Sequence, residues 1–264
     1  MDADPWAALA EQFVDGAYAT VKGRVRTFVL HSHLLDHLPE APARVLDVGG
    51  GAGHQSFPLA RSGYDITLLD SSAAMLAKAE QRRAAEPPDV RDRIRLVHGR
   101  GEDAPAVLDG QRFDVVLCHG VLMYLTDPAA LIASLCACTG DGGILSIMAL
   151  NADTLAVRPA LERRWGDALA AFDSCEERGV LGVETRADTV AELAERIQSH
   201  DVAVIAWYGV WLFSDWMSLD ATADEDIAAI AEVELEASKR DPYRSLSRVF
   251  HLLGRKSVGG DISH

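Results

Sequence analysis

No stretch of this chain approaches the ~18–20 uninterrupted apolar residues that a membrane-spanning helix requires. The opening "MDADPWAALAEQF" is acidic and lacks the charged-then-apolar layout of a secretory signal. The four cysteines (Cys118, Cys136, Cys138 and Cys175) show neither disulfide nor zinc-site spacing. They are therefore expected as reduced core thiols in a soluble, cytoplasmic chain with no membrane partner. Bases are scarce as well: 25 Lys and Arg stand against 40 Asp and Glu, a formal charge of −15. From Asp215 to Glu236 there are eight acids and no Lys or Arg. That balance favours solubility and disfavours a polyanionic partner unless the bases cluster. Internal repeats and low-complexity linkers are also missing.

What the chain does have is enough apolar content for a core, 48% over 264 residues, and a regular rhythm. The first forty residues read as two helices, about 5–17 and 22–38. Strand and helix signals then alternate. "ARVLDVG" reads as a buried strand, and His54–Ser62 as a helix closed by Gly63. "YDITLLD" is a strand, followed by a helix over Ser72–Ala85 that Pro87-Pro88 stops. "IRLVHG", "FDVVLCHG" and "ILSIMAL" are further strands, and Asp127-Pro128 opens the helix between the last two. Continuous apolar strands alternating with helices predict a parallel sheet covered on both faces. After Leu150 the rhythm changes. Residues 151–184 read as irregular, Thr189–His200 as a helix, "VAVIAWYGVWLF" (Val202–Phe213) as a long strand, about Asp224–Arg240 as an acidic helix and "SRVFHLLGRK" as a last strand. One domain over 1–256 is expected, with a helical cap at 1–40, a cofactor-binding half at 41–150, an acceptor-side half at 151–256 and a disordered tail at 257–264.

The chemistry concentrates after the first strand. Asp47-Val-Gly49-Gly50-Gly51-Ala-Gly53 has the pattern D-x-G-x-G-x-G. The dinucleotide pattern G-x-G-x-x-G would need glycine where His54 stands. Glycines at such a strand-to-helix turn let backbone approach a ligand closely. A sulfonium nucleoside with an amino-acid tail wants a neutral floor and an acid for its ammonium, and Asp47 is placed to provide one. Asp70, followed by Ser71, closes the second strand where a carboxylate reaches ribose hydroxyls. After the third strand, "HGRGEDAP" offers the acids Glu102 and Asp103 to accept from an adenine amino group.

These four features in register, ending with "FDVVLCHGVLMYLTDP", resemble a class I S-adenosylmethionine-dependent methyltransferase. The resemblance implies a Rossmann-like, seven-stranded, mostly parallel α/β sheet whose last strand is antiparallel, with helices on both faces and S-adenosylmethionine as cofactor, leaving as S-adenosylhomocysteine. The segments "EQFVDGAYATVKGRVR" and "DPYRSLSRVFHLLGRK" are similar to the family that methylates the carboxyl of tRNA 5-carboxymethoxyuridine. That similarity implies cofactor contacts at Arg26, Gly49, Gly50, Asp70, Gly101–Glu102 and His119. The chain departs from this family after the fifth strand, where "FDSCEERGVLGVE" carries four acids and one arginine in place of a lysine-rich stretch, and Leu150 replaces an aromatic. Binding tRNA rests largely on neutralising phosphates.

A small-molecule acceptor, methylated on oxygen (a carboxylate among the choices) or nitrogen, is therefore expected. The alternative is the carboxyl of wobble 5-carboxymethoxyuridine in tRNA. Tyr18, Tyr124, Asn151, Tyr243 and Arg248 are the acceptor-pocket candidates. A carboxylate acceptor needs no general base and an arginine would orient it. For a hydroxyl or amine, His119 is the histidine that falls near the reaction and is the catalytic candidate. His31, His33 and His37 share one helix but are not expected to bind metal. Trp207 and Trp211 are expected to share one strand face and to pack in the core.

Overall fold

The computed structural model describes residues 20–178, 183–217, 219 and 224–259. The helix expected at 5–17, Tyr18 and the end of the tail lie outside the described residues. Helix α1 (Val21–Leu35) starts at Thr20, whose hydroxyl accepts from the Gly23 N–H at 3.1 Å. The alternating region follows as β1 (Arg44–Val48), α2 (Ser56–Arg61), β2 (Asp65–Asp70), α3 (Ala73–Ala85), α4 (Pro88–Arg91), β3 (Ile94–His98), α5 (Ala104–Val107), β4 (Phe113–His119), α6 (Ala129–Cys138) and β5 (Thr139–Leu150). Beyond it come α7 (Val157–Leu161), α8 (Trp165–Ala171), strands β6 (Glu176–Arg178) and β7 (Glu184–Arg186), α9 (Val190–Gln198), β8 (Val202–Val210), α10 (Phe213–Trp216), α11 (Asp224–Ser238) and β9 (Val249–Lys256).

Seven strands form one sheet in the order β3-β2-β1-β4-β5-β9-β8. The β1, β2, β3, β4 and β5 pairings are parallel, and β9 runs antiparallel to both β5 and β8. The central strands carry apolar side chains toward both faces, which is why they read as unbroken apolar runs. One core layer joins Leu46, Val116, Leu145 and Leu252 to α6 and α9 residues such as Leu135 and Leu193. The other joins Val45, Leu68, Val115 and Ile144 to Phe57, Ala79 and Leu34. A third cluster ties α1 and α11 to the carboxyl ends of β5 and β8 through Val29, Leu30, Leu150, Val210 and Ile227. This third cluster fixes α1 over the edge where ligands bind in open α/β sheets.

Several expectations are corrected. The helix after the glycine loop begins at Ser56 rather than His54, because positive φ angles at Gly49, Gly51 and Gly53 (+68°, +55° and +75°) keep the chain in successive turns. Residues 151–184 are not irregular throughout: α7, α8 and the antiparallel β6–β7 pair occupy much of them. Strand β8 stops at Val210, because Trp211 turns into the left-handed region at φ +61°. Trp207 and Trp211 therefore do not share a strand face. Cys118, Cys136 and Cys138 are buried thiols, but Cys175 is exposed. Glu234 is buried and accepts from the Leu212 and Ser214 N–H groups at 3.0 and 2.6 Å, capping the start of α10.

Candidate functional site

Strand order reverses beside β1: the chain moves outward to β2 and β3, then returns to β4 on the other side. Loops leaving β1 and β4 therefore diverge and open a crevice at the carboxyl edge. At the floor of this crevice the two loops touch. A Cβ on Gly49, whose φ is +68°, would overlap the Val121 side chain beyond β4. A Cβ on Gly50 would stand 2.6 Å from Asp47 Oδ2 and 2.8 Å from Leu68 Cγ. Glycine at position 50 is what leaves room for the buried Asp47 carboxylate.

The crevice narrows to a small cavity lined by Arg26, Leu30, Asp47, Gly49, Gly50, His54, Gln55 and His119. Its polar groups are incompletely satisfied. Asp47 Oδ2, His119 Nδ1 and both amide atoms of Gln55 are buried with no hydrogen-bond partner among the described residues. Buried polar atoms are nearly always paired in a finished structure, so such a cluster is the mark of a ligand site. Burial, and then the nearby Asp70 charge, push the Asp47 carboxyl up from 3.8 to about 7. Burial and the cations Arg82 and Arg26 push His54 down to about 3, and burial and Arg26 do the same to His119. A cation entering here would restore the ionised form of Asp47. An anionic group alongside it would meet Arg26.

Arg26 reaches the cavity from α1. Arg24, two residues earlier, is exposed on the other side of the helix, whereas Arg26 is half-buried with its guanidinium 5.7 Å from the centroid of the Trp211 ring. Asp70 is buried at the end of β2 and is joined to the same loop. Its Oδ2 accepts from the Gly51 N–H and its Oδ1 from the Ser72 N–H, both at 2.8 Å. Ser72, not Asp70, caps α3 through its side chain. Ser71 is exposed beside it. Gly101, Glu102 and Asp103 follow β3 at the same edge but do not line the cavity. Glu102 pairs with Arg100 at 3.0 Å, Asp103 is exposed, and Gly101 is pressed against Leu131 and Val48.

The acceptor candidates separate into two kinds. Asn151 is buried and its amide is engaged: Nδ2 donates to the Ser245 and Ser247 carbonyls at 3.2 and 3.0 Å, and Oδ1 accepts from the Asp153 N–H. It fastens the loop after β5 to the segment before β9. Tyr124 is half-buried in the turn beyond β4, and Tyr243 is exposed, its ring 6.3 Å from that of Phe213. Arg248 is buried, ion-pairs with Glu177 on β6, and leaves Nη1 without a partner among the described residues. Near it, Lys22 and Arg158 both bind the buried Asp215, the arginine at 2.5 Å. Lys22 lies one helical turn before Arg26 on α1, and its ammonium sits 4.4 Å from the centroid of the Trp211 ring.

Sequence reasoning missed His54 and Gln55 as cavity residues, and Arg158 and Asp215 as partners of Lys22. His54 and Gln55 directly follow Gly53 and continue the glycine loop, so their neighbourhood to Asp47 was the available signal; Arg158 and Asp215 carry no local mark, since long-range packing brings them to Lys22. A wider depression at the opposite edge of the strands is lined by Arg44, Asp65, Arg93 and Phe113, with Arg93 and Asp65 paired at 2.9 Å. Among the described residues it holds no buried, unpartnered polar side-chain atom. No group of three or more His, Cys, Asp or Glu among the described residues is arranged for a metal, and no described helix is long and apolar enough to cross a membrane.

Comparison with known proteins agrees with this geometry. Residues 46–145, which span the strands and loops around the crevice, match a methyltransferase-domain family. Over 96% of its length the chain is 28% identical to the tRNA 5-carboxymethoxyuridine methyltransferase of Escherichia coli (strain K12), of which it covers 96%. Over 43% of its length it is 34% identical to a ubiquinone biosynthesis O-methyltransferase of Methylobacterium nodulans, again covering 43% of that protein. Among solved structures, the glycopeptide N-methyltransferase MtfA complexed with S-adenosyl-L-methionine matches 88% of the chain and 94% of its own, with a TM-score of 0.57 and 18% identity. A chain of the Haloferax volcanii methyltransferase–Trm112 activator complex matches 97% and 100%, with a TM-score of 0.64 and 18% identity. Residues 46–145 thus carry a methyltransferase domain, set in a sheet whose fold the S-adenosylmethionine-bound MtfA structure shares.

Proposed function

We propose that this methyltransferase acts on a carboxylate oxygen of a small organic acid. The observation that carries this reading is the cation excess beyond the cofactor crevice. Among the described residues, the acids paired with Lys22, Arg158 and Arg248 are Asp215 and Glu177, and Arg248 Nη1 is buried with an open hydrogen-bonding position. One further carboxylate would neutralise the cluster and satisfy that donor through a charge-assisted bond. Burial lowers the Lys22 pKa, and Arg158 and Arg248 lower it further against the opposing pull of Asp215, as expected of a cluster short of one negative charge.

When bound, S-adenosylmethionine supplies a methyl group on a sulfonium that departs as a neutral thioether. For its recognition we assign Arg26 to the carboxylate of the amino-acid tail, Asp47 and His119 to the ammonium, Asp70 to the ribose hydroxyls and Glu102 to the adenine amino group. Orientation is then the main task left to the protein, and the Lys22 and Arg248 side chains perform it on the acceptor. A carboxylate is already ionised at neutral pH, so no base is required. His119, held near a pKa of about 3, is poorly suited to be one.

A second reading, methylation of a tRNA carboxyl, is favoured by the whole-length similarity to the Escherichia coli protein. Against it stand the charge of −15 and the pairing of Lys22, Arg244 and Arg248 with acids of this chain. Turnover of a panel of small mono- and dicarboxylic acids, read as S-adenosylhomocysteine formed, tests the proposal. Arg248→Gln should raise KM for the productive acid at least tenfold with S-adenosylhomocysteine affinity unchanged. Activity on none of the acids, or indifference to Arg248→Gln, would overturn it.

A further inference from the structure

A buried row of hydroxyls and imidazoles crosses the molecule from α11 to the cofactor crevice. Ser238 Oγ lies 2.8 Å from His33 Nε2, and His33 Nδ1 lies 3.2 Å from His251 Nδ1. His251 Nε2 lies 2.7 Å from Ser146 Oγ, which is 2.8 Å from His119 Nε2. The residues come from α11, α1, β9, β5 and β4 in turn, and Ser238, His33, His251 and Ser146 are buried. Tyr208 stacks on His33 with ring centroids 4.0 Å apart. Burial pushes His33 and His119 down to about 3, and His251 well below its ordinary value. All three rings are therefore neutral at physiological pH, each with one N–H and one bare nitrogen.

The direction of the row follows from its far end. Ser238 Oγ is 2.6 Å from the Leu235 carbonyl oxygen, which can only accept. With the hydroxyl hydrogen committed there, Ser238 accepts from His33 Nε2–H. His33 Nδ1 is then bare and accepts from His251 Nδ1–H. His251 Nε2 is bare in turn and accepts from the Ser146 hydroxyl, whose oxygen accepts from His119 Nε2–H. His119 Nδ1 is left as a lone pair, and that atom is buried without a partner among the described residues, in a residue that lines the cavity.

We propose that Ser238, His33, His251 and Ser146 are positioning residues that lock His119 in the Nε2–H tautomer, so that its Nδ1 accepts from the cofactor's ammonium group. A bare nitrogen repels a carboxylate, so the tautomer decides which end of the amino-acid tail lies at His119 and which at Arg26. The ammonium role rests on assigning this cavity to the cofactor tail; the tautomer does not.

Two measurements keep these parts separate. Two-bond 1H–15N correlation spectra of the ligand-free protein, with His119 identified from His119→Gln, should show the Nε2–H form alone. Ser238→Ala and Ser146→Ala should each introduce the Nδ1–H form, the first without touching the cavity. In calorimetry, Ser146→Ala should weaken S-adenosylhomocysteine roughly tenfold or more, the loss of one charge-assisted hydrogen bond. The deaminated analogue should bind the variant and the unaltered protein alike. If Ser146→Ala does not fold, Ser238→Ala carries the same comparison. An Nδ1–H tautomer in the unaltered protein, or a tautomer indifferent to both substitutions, would overturn the locking. Equal losses for both ligands would overturn the ammonium role and leave these residues a purely structural part.

Discussion

On the proposed assignment of Asp47 to the cofactor's ammonium, cofactor binding is a protonation event. In the free protein its carboxyl is pushed to about 7, so at pH 7 about half the molecules carry a proton there. An ammonium beside Oδ2 favours the ionised form and drives that proton off. Binding of S-adenosylhomocysteine should release about 0.9 proton at pH 6 and about 0.5 at pH 7. Only the ionised fraction binds well, so affinity should rise about eightfold from pH 6 to 7.5, as that fraction grows from about 0.09 to about 0.76. His54 and His119 stay neutral across this range and add nothing to the slope. Stability of the free protein moves the other way. A folded pKa above the unfolded value of 3.8 stabilises fully below pH 3.8, and that contribution is lost as pH rises through about 7. The span is worth at most about 4 kcal/mol. Titration calorimetry in two buffers of different ionisation enthalpy gives the proton count directly. Asp47→Asn should abolish the release, flatten the affinity profile and stabilise the free protein at pH 8. Buffer-independent heats together with flat affinity over pH 6 to 7.5 would refute the reasoning.

The remaining predictions use the same ligand or its analogues. Arg26→Lys should weaken S-adenosylhomocysteine at least tenfold, because lysine cannot reproduce a planar two-point contact with a carboxylate; a decarboxylated analogue should not notice the change. Asp70→Asn puts an NH2 group opposite the Gly51 or Ser72 N–H, each now bound at 2.8 Å. A loss of about 1–3 kcal/mol in stability to urea is expected, with weaker ligand binding beside it; retention of both would remove Asp70 from the loop and the ribose. Bulk tRNA in filter binding should bind weakly at low salt and fall away by physiological salt, since few bases here are free to release counterions. Micromolar binding that survives physiological salt would make tRNA the acceptor.

The sheet was legible because its information is local. Unbroken apolar runs such as Val115–Cys118 are long enough to be buried strands, and glycine, proline and Ser72 punctuate the helices between them. The parallel order and the single antiparallel strand followed from that rhythm together with the family resemblance. Much of the cavity was legible for the same reason: Asp47, Gly49 and Gly50 stand in one short loop, and His119 ends the strand beside it. What was hidden depends on chain segments far apart. His33 and His251 are 218 residues apart and meet only once α1 lies across β9. Asp215 and Glu234 read as members of an acidic run, yet one holds Lys22 and Arg158 and the other caps α10. Their charges cannot be assigned to surface or interior from composition. Asn151 is ambiguous in a different way: a buried amide after a strand suits a ligand and a loop fastener equally, and the structure shows its Nδ2 engaged with the Ser245 and Ser247 carbonyls.

The proposed acceptor is tested most directly by following the methyl group itself. The protein would be incubated with S-adenosylmethionine labelled in the methyl group and a cell extract divided into a small-molecule fraction and an RNA fraction. The account predicts label in the small-molecule fraction, on an anionic compound, released by mild base as methanol as an ester requires. Arg248→Gln should reduce that label and leave S-adenosylhomocysteine binding intact. Base-labile label confined to the RNA fraction would contradict the account and make the carboxyl of a tRNA nucleoside the acceptor.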